Sequence, residues 1–108
     1  MLYLFTVTVA EGYSAEQYAD AWVRASRLIQ QAPGARGTRL HRKLDDPRVL
    51  LAIASWASKA HRDAMEADPP AAVKAIIAAE APFVTIELIG AFDDPAWEVL
   101  PDTAGEAP

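Results

Sequence analysis

The sequence predicts an α+β domain with a ferredoxin-like, four-stranded antiparallel sheet and helices on one face. Three observations lead to this class: four short strand-like segments, three segments with helical spacing, and a short Asp-Pro turn between the two middle strands. The resulting order, β-α-β-β-α-α-β, places two crossovers around a central hairpin. The 108 residues fit one domain. We assign residues 1–92 to it and residues 93–108 to an acidic, proline-rich tail whose end is expected to be disordered.

The first strand is predicted at Leu2–Val9, which is rich in aromatic and β-branched residues. Ser14 opens the first helix, because Ser14 and Gln17 match a capping box, and Pro33 and Gly34 end it. The apolar side chains of this helix form one stripe: Tyr18, Ala21, Trp22, Ala25, Leu28, Ile29 and Ala32.

The middle of the chain is predicted as an antiparallel hairpin, Gly37–Leu44 and Arg48–Trp56. Ser58 can cap a second helix and Asp68 a third. The third helix is apolar nearly all round, so it is predicted to be deeply buried or shared with a partner. The last strand is predicted at Phe83–Phe92.

The apolar pattern also predicts a homodimer. Strands 1, 3 and 4 are apolar on both sides, and a chain of this length has nothing left to cover the second face of the sheet. Two sheets packed face to face would bury it, which gives a dimeric α+β barrel.

Composition excludes several functions. The net charge of −5 argues against a nucleic-acid partner, and the local basic run "RLHRK" is interpreted as a solvated strand end. The chain has no cysteine, which excludes disulfides, thiolate–zinc sites and iron–sulfur clusters and favours the cytoplasm. No stretch is long enough to span a membrane, and the first residues lack the basic region of a signal peptide. Two histidines twenty residues apart do not indicate a metal site.

The hairpin holds His41 and Trp56, and its register decides which face they share. A turn at Asp45–Arg48 would pair His41 with Ala52 and Gly37 with Trp56, because cross-strand partners share a face. That face would combine small residues with titratable and aromatic ones, as a small-molecule pocket does: Gly37, Arg39, His41, Leu50, Ala52, Ala54 and Trp56. We therefore expect His41 and Trp56 on the helix-covered side. The simpler alternatives are a core anchor for Trp56 and a rim position for His41.

Residues 33–69 combine a Pro-Gly before the second strand, an acidic hairpin turn, a strand ending in Trp, and a capping Ser in "WAS". This combination resembles the signature of the antibiotic biosynthesis monooxygenase superfamily, and the similarity covers roughly residues 1–92. The resemblance implies a dimeric α+β barrel with a pocket between helices and sheet in each subunit. Members include monooxygenases that oxidise anthrones or quinols with dioxygen and neither metal nor flavin. Others degrade haem through residues that this chain lacks.

The resemblance also implies roles for individual residues. Trp56 matches the strand-ending Trp that lines the pocket of the anthrone-oxidising members, and His41 falls near a second-strand histidine. His61 stands where those members can carry a Tyr, and Ala52 where they have an Asn. Lys74 lies close to a basic residue of their third helix.

Oxygenation without a cofactor needs a base, an aromatic wall and a group that stabilises an anion. The predicted catalytic residues are His41 as base, Arg39 for the anion and Trp56 as wall. The residues predicted to contact the ligand are Trp22, Ala52, Ala54, His61 and Lys74. Three functions remain open: a cofactor-free monooxygenase acting on an electron-rich aromatic, a non-catalytic or stress-related barrel that binds an apolar or aromatic ligand, and an isomerase or lactone-processing enzyme of the same fold that uses His41 as a proton shuttle.

Overall fold

The computed structural model describes residues 1–102 and confirms the predicted α+β fold. Its elements are β1 (Leu2–Val9), α1 (Ala15–Ile29), β2 (Ala35–Lys43), β3 (Asp46–Trp56), α2 (Lys59–Ala67), α3 (Ala71–Glu80) and β4 (Val84–Phe92). A short 3₁₀ turn, Ala81–Phe83, joins α3 to β4. The strands form one antiparallel sheet in the order β2-β3-β1-β4.

The helix starts follow the caps that the sequence provides, with one exception. Ser14 Oγ accepts from the Gln17 amide at 3.1 Å and Gln17 Oε1 accepts from the Ser14 amide at 2.7 Å, so the capping box is present. Ser58 caps α2 through the amide of His61. The predicted cap at Asp68 is wrong: α3 starts after Pro70, and Asp68 instead ends α2. Proline fixes φ and so suits the start of a helix without a side-chain cap.

The sheet has two unlike faces, the helix face and the open face. The helix face is the one packed on the helices and carries the core, in which Val7, Val9 and Leu50 meet Tyr18. The open face carries the alternate residues, such as Thr6 and its partner Leu51. No helix covers the open face within residues 1–102.

The hairpin register differs from the predicted one. Lys43 pairs with Asp46 across a two-residue turn, and the next pair is Arg42 with Leu50, so residues 47–49 of β3 have no partner on β2. This irregularity shifts the pairing by one residue relative to a four-residue turn. A shift of one moves every side chain of β2 to the other face. His41 therefore pairs with Leu51, on the open face.

Two segments, α3 and residues 93–102, are largely exposed. The prediction that α3 is deeply buried is wrong, since only Val73 of this helix is buried and Ile77 is half exposed. A shared surface with a partner stays a prediction. Residues 93–102 form no helix or strand, and Trp97 is 92 % exposed. The expected disorder concerns residues 103–108, which lie outside the described part of the chain.

Candidate functional site

A cavity of about 370 Å³ lies between the helix face of the sheet and the three helices. Its walls are mainly aromatic and aliphatic, and they include Tyr3, Phe5, Trp22, Trp56, Ile76 and Val84. Small side chains make the room: Ala21 and Ala25 on the inner face of α1, and Ala54 on β3. A cavity of this size and lining suits a small apolar molecule.

The cavity reaches the surface between α3 and β4. Ile77 and Ile86 both line it, and each is 52 % exposed. Trp56, at the opposite end of the lining, is 2 % exposed. A ligand would therefore enter beside two isoleucines and meet the indole of Trp56 deeper inside.

Arg62 is the one cationic side chain among the lining residues of the described range 1–102. Its guanidinium carbon lies 3.7 Å from the centre of the Tyr3 ring, and its side chain is only 17 % exposed. It also pairs with Asp63 at 3.6 Å and with Glu66 at 3.5 Å. The stacking and the two acidic neighbours hold the planar group in place. Arg62 can thus present a fixed N–H donor toward the cavity.

Tyr18 and Glu80 are polar groups on the α1 and α3 sides of the cavity. Burial, and secondarily the negative charge of Glu80, raises the pKa of Tyr18 to about 12. The phenol therefore stays protonated near neutral pH and is a hydrogen-bond donor. Glu80 Oε2 is buried and has no hydrogen-bond partner within residues 1–102.

Three of the predicted site residues line this cavity. Trp22 contributes from α1, and Ala54 and Trp56 contribute from β3. Trp56 is also part of the buried core, so one side chain both anchors the core and lines the cavity. The helix-face prediction for Trp56 is confirmed.

The helix-face prediction is wrong for His41 and Arg39. They pair with Leu51 and Ile53, which project from the open face, and both are exposed. The unpaired residues 47–49 of the hairpin are the physical reason. Neither side chain lines the cavity of its own subunit.

The other predicted ligand contacts lie outside this cavity. Ala52 is completely buried between neighbouring strands, and Lys74 is exposed on α3. His61 borders a second cavity, of about 350 Å³, beside Pro33 and Pro70. Its ring nitrogen Nδ1 lies 2.7 Å from Ser58 Oγ, so the imidazole belongs to the cap of α2.

Sequence reasoning missed Arg62, Tyr18 and Glu80 as cavity residues. A signal for each was present. Arg62 recurs with Met65 at helical spacing on the inner face of α2, and Tyr18 stands on the apolar stripe of α1. Glu80 continues the apolar spacing of α3, where a carboxylate is unexpected.

Two further findings concern the described residues only. No group of three or more His, Asp or Glu side chains within residues 1–102 is placed to hold a metal ion. In the same range, none of the helices combines the length and the apolar run needed to cross a bilayer. The cytoplasmic location stays a prediction.

The chain is thus an α+β domain with a ferredoxin-like sheet and an aromatic-lined cavity beneath its helices. The family model for antibiotic biosynthesis monooxygenases matches residues 2–76. The chain therefore belongs to the antibiotic biosynthesis monooxygenase family, as the resemblance in residues 33–69 indicated. No curated protein matches the chain in sequence.

Solved structures show the same fold. SnoaB, a cofactor-independent oxygenase from Streptomyces nogalater, is 21 % identical, with a TM-score of 0.75 over 94 % of this chain and 96 % of SnoaB. A SnoaB variant with an Asn-to-Ala change is 23 % identical, with a TM-score of 0.72 over 94 % and 97 %. A Deinococcus radiodurans protein provisionally assigned as an antibiotic biosynthesis monooxygenase is 18 % identical, with a TM-score of 0.73 over 93 % and 99 %.

Proposed function

We propose that this protein is a cofactor-independent monooxygenase that oxidises an electron-rich aromatic molecule, of the anthrone or quinol kind, with dioxygen. The cavity between sheet and helices carries the proposal, because it offers aromatic walls and a mainly apolar lining. Membership of the family and the likeness in fold to SnoaB, a cofactor-independent oxygenase, support it.

The chemistry needs a substrate that supplies its own electrons. Loss of a proton from an anthrone gives a carbanion-enolate that can pass electrons to dioxygen. One oxygen atom then replaces two hydrogens of the CH₂ group as a carbonyl, and the other leaves as water. The protein contributes a mainly apolar cavity that would hold the anion beside dioxygen, with Trp22 and Trp56 as walls and Arg62 as a donor toward developing negative charge.

The base predicted from the sequence is not part of this proposal. His41 lies on the open face, so it cannot reach a ligand in the cavity of its own subunit. The isomerase alternative relied on His41 as proton shuttle and loses its base for the same reason.

Dioxygen uptake with anthrone tests the proposal. We expect the purified protein to consume dioxygen in a one-to-one ratio with the anthraquinone formed. Ala54→Leu, which fills the cavity from β3, should lower the rate at least about tenfold, whereas Ala60→Leu, on an exposed position of α2, should not. Absence of uptake above the uncatalysed rate, or equal rates for the two variants, would contradict it. Anthrone binding without uptake would favour the ligand-binding alternative.

We also propose that two copies associate through their open faces. Leu4, Leu51 and Ile53 form an apolar patch at the centre of this face, and Leu2 and Phe92 extend it at one end. Within residues 1–102 nothing of the same chain covers it. A second copy would bury the patch and form the predicted barrel.

A further inference from the structure

Glu80 is a carboxylate on the apolar stripe of a helix. Val73, Ile76, Ile77 and Glu80 recur at spacings of three and four, so one face of α3 carries all four. Ile76, Ile77 and Glu80 line the cavity. Glu80 Oε2 is buried, and within residues 1–102 no hydrogen bond or ion pair joins the carboxylate to another residue.

This placement is unfavourable for the folded chain in the absence of a ligand. Burial of a charged oxygen removes its hydration, and without a hydrogen bond no protein contact compensates for that loss. Glu80 is also the last residue of α3, where the helix dipole presents its negative end. Arg62, the cation of the cavity, is engaged by Asp63 and Glu66. An acceptor left unpaired in this way indicates that a ligand supplies the missing donor.

Tyr18 adds a donor on the facing helix. Its phenol is protonated near neutral pH and can donate a hydrogen bond, and burial and the charge of Glu80 raise its pKa further. The cavity thus offers an acceptor from α3 and a donor from α1 within an otherwise mainly apolar lining. A ligand that satisfies both carries an O–H group and an oxygen acceptor on a planar apolar body.

We propose that Glu80 accepts a hydrogen bond, and then the proton, from a phenolic or enolic hydroxyl of the ligand. The inference rests on the proposed function, because it assumes that the cavity holds the aromatic substrate. The ligand O–H bond breaks, the proton moves to Glu80 Oε2, and the electron pair stays on the ligand oxygen. The anion that results is the electron source for dioxygen. Molecules that carry a carboxylate or phosphate in place of the hydroxyl are repelled by Glu80.

Binding of two matched probes tests this recognition without any turnover. 2-Naphthol carries the hydroxyl, and 2-methoxynaphthalene has a methyl ether in its place. By titration calorimetry we expect the unaltered protein to bind 2-naphthol about tenfold or more tightly than the ether, as a hydrogen bond to a charged group provides. Glu80→Leu should reduce the ratio to about twofold or less, with the affinity for the ether kept or improved.

Two variants complete the design. Glu80→Gln keeps the shape of the side chain but loses its charge, so the ratio of the two affinities should fall at least about threefold. If Glu80→Leu does not fold, the result for Glu80→Gln decides the test. Glu11→Gln removes an exposed carboxylate that does not line the cavity, and this variant should keep the full ratio.

The outcomes separate this inference from the proposed function. Equal affinities for the two probes in the unaltered protein, or an undiminished ratio in the Glu80 variants, overturns the role of Glu80 even if anthrone is oxidised. A Glu80-dependent ratio in a protein that does not consume dioxygen keeps the recognition and overturns the oxygenase function. Failure to bind either probe overturns the role of Glu80, and the same failure together with absence of dioxygen uptake overturns both.

Discussion

Gly34 and His61 are packed so closely that no side chain fits between them. A Cβ atom on Gly34 would lie 2.6 Å from His61 Cβ and closer still to the ring carbon Cγ. Gly34 also has a φ of +82°, in the left-handed region. The chain after α1 therefore passes directly against the first turn of α2, and His61 fixes that approach.

The first prediction separates this contact from backbone strain. Gly34→Ala should lower the free energy of unfolding by about 2–4 kcal/mol, because left-handed strain and overpacking add. Gly12→Ala is the matched control: its φ is +88°, but nothing lies within 4 Å of the added Cβ, so strain alone should cost about 1–2 kcal/mol. Urea unfolding measures both. Equal losses would contradict the close contact with His61.

The second prediction concerns two alanines on the helix face of β3. Ala52→Leu should destabilise the protein by about 1–3 kcal/mol, because Ala52 is completely buried and the extra carbons overpack the core. Ala54→Leu should cost less than about 1 kcal/mol, because Ala54 borders the cavity and its leucine has space. Denaturant unfolding of both variants, beside probe binding, checks this. A stability loss at position 54 as large as at position 52 would contradict the placement of the cavity.

The third prediction is that Trp56 is essential for stability whatever the function. Trp56→Ala should cost about 3–5 kcal/mol of unfolding free energy, as expected for a large aromatic side chain buried to 98 %. Trp97→Ala removes an exposed indole and should stay within about 0.5 kcal/mol of the unaltered protein. Thermal and chemical unfolding followed by circular dichroism compares them, and similar losses for the two variants would refute the assignment of Trp56 to the core.

The fourth prediction follows from the raised pKa of Tyr18, about 12 in the folded protein against about 10 in the unfolded chain. Below pH 10 the Tyr18 phenol keeps its proton in both the folded and the unfolded state, and its contribution to the free energy of unfolding is fully present. Between pH 10 and pH 12 only the unfolded chain releases it, so the free energy of unfolding falls by about 1.4 kcal/mol per pH unit from this group. Above pH 12 the stabilisation is lost.

Urea unfolding at pH 9 and pH 11 measures the effect. Tyr18→Phe should show a weaker loss between the two pH values than the unaltered protein. Tyr13→Phe, which keeps the stacked contact with Phe83, should retain the full loss. The same pH dependence in the Tyr18 and Tyr13 variants would disprove the assignment.

The fifth prediction tests association through the open face. Leu51→Glu places a charge at the centre of the apolar patch and should convert the dimer into a monomer at micromolar concentration. Ala60→Glu, on an exposed position of α2, should leave the dimer intact. Sedimentation velocity distinguishes the two states, and a monomeric unaltered protein would rule the dimer out.

The elements of this fold could be predicted from the sequence because each has a local signal. The capping box at Ser14 set the start of α1, and alternation placed Trp56 on the helix face as the last residue of β3. The hairpin register could not be predicted, since "LDDPR" allows turns of different length and a change of one residue reverses the faces of β2. That reversal moved His41 and Arg39 out of the site.

The polar groups of the cavity could not be predicted from the sequence, because they come together only when the three helices pack on the sheet. Tyr18 and Glu80 belong to different helices, and their juxtaposition depends on how α1 and α3 approach each other. Residue type alone favoured the two histidines, neither of which lines the cavity. The helical spacing that ends in Glu80 was visible, but its meaning required the cavity beside it.

The two free edges of the sheet differ in their tendency toward aggregation. β2 is one edge and carries a dense run of cations: Arg36, Arg39, Arg42 and Lys43. Such charges oppose edge-to-edge pairing with another chain. β4 is the other edge, and its Ile86, Leu88 and Ile89 are about half exposed. On heating or at high concentration, intermolecular strand addition should therefore begin at β4, and the basic run of β2 protects only the opposite side of the molecule.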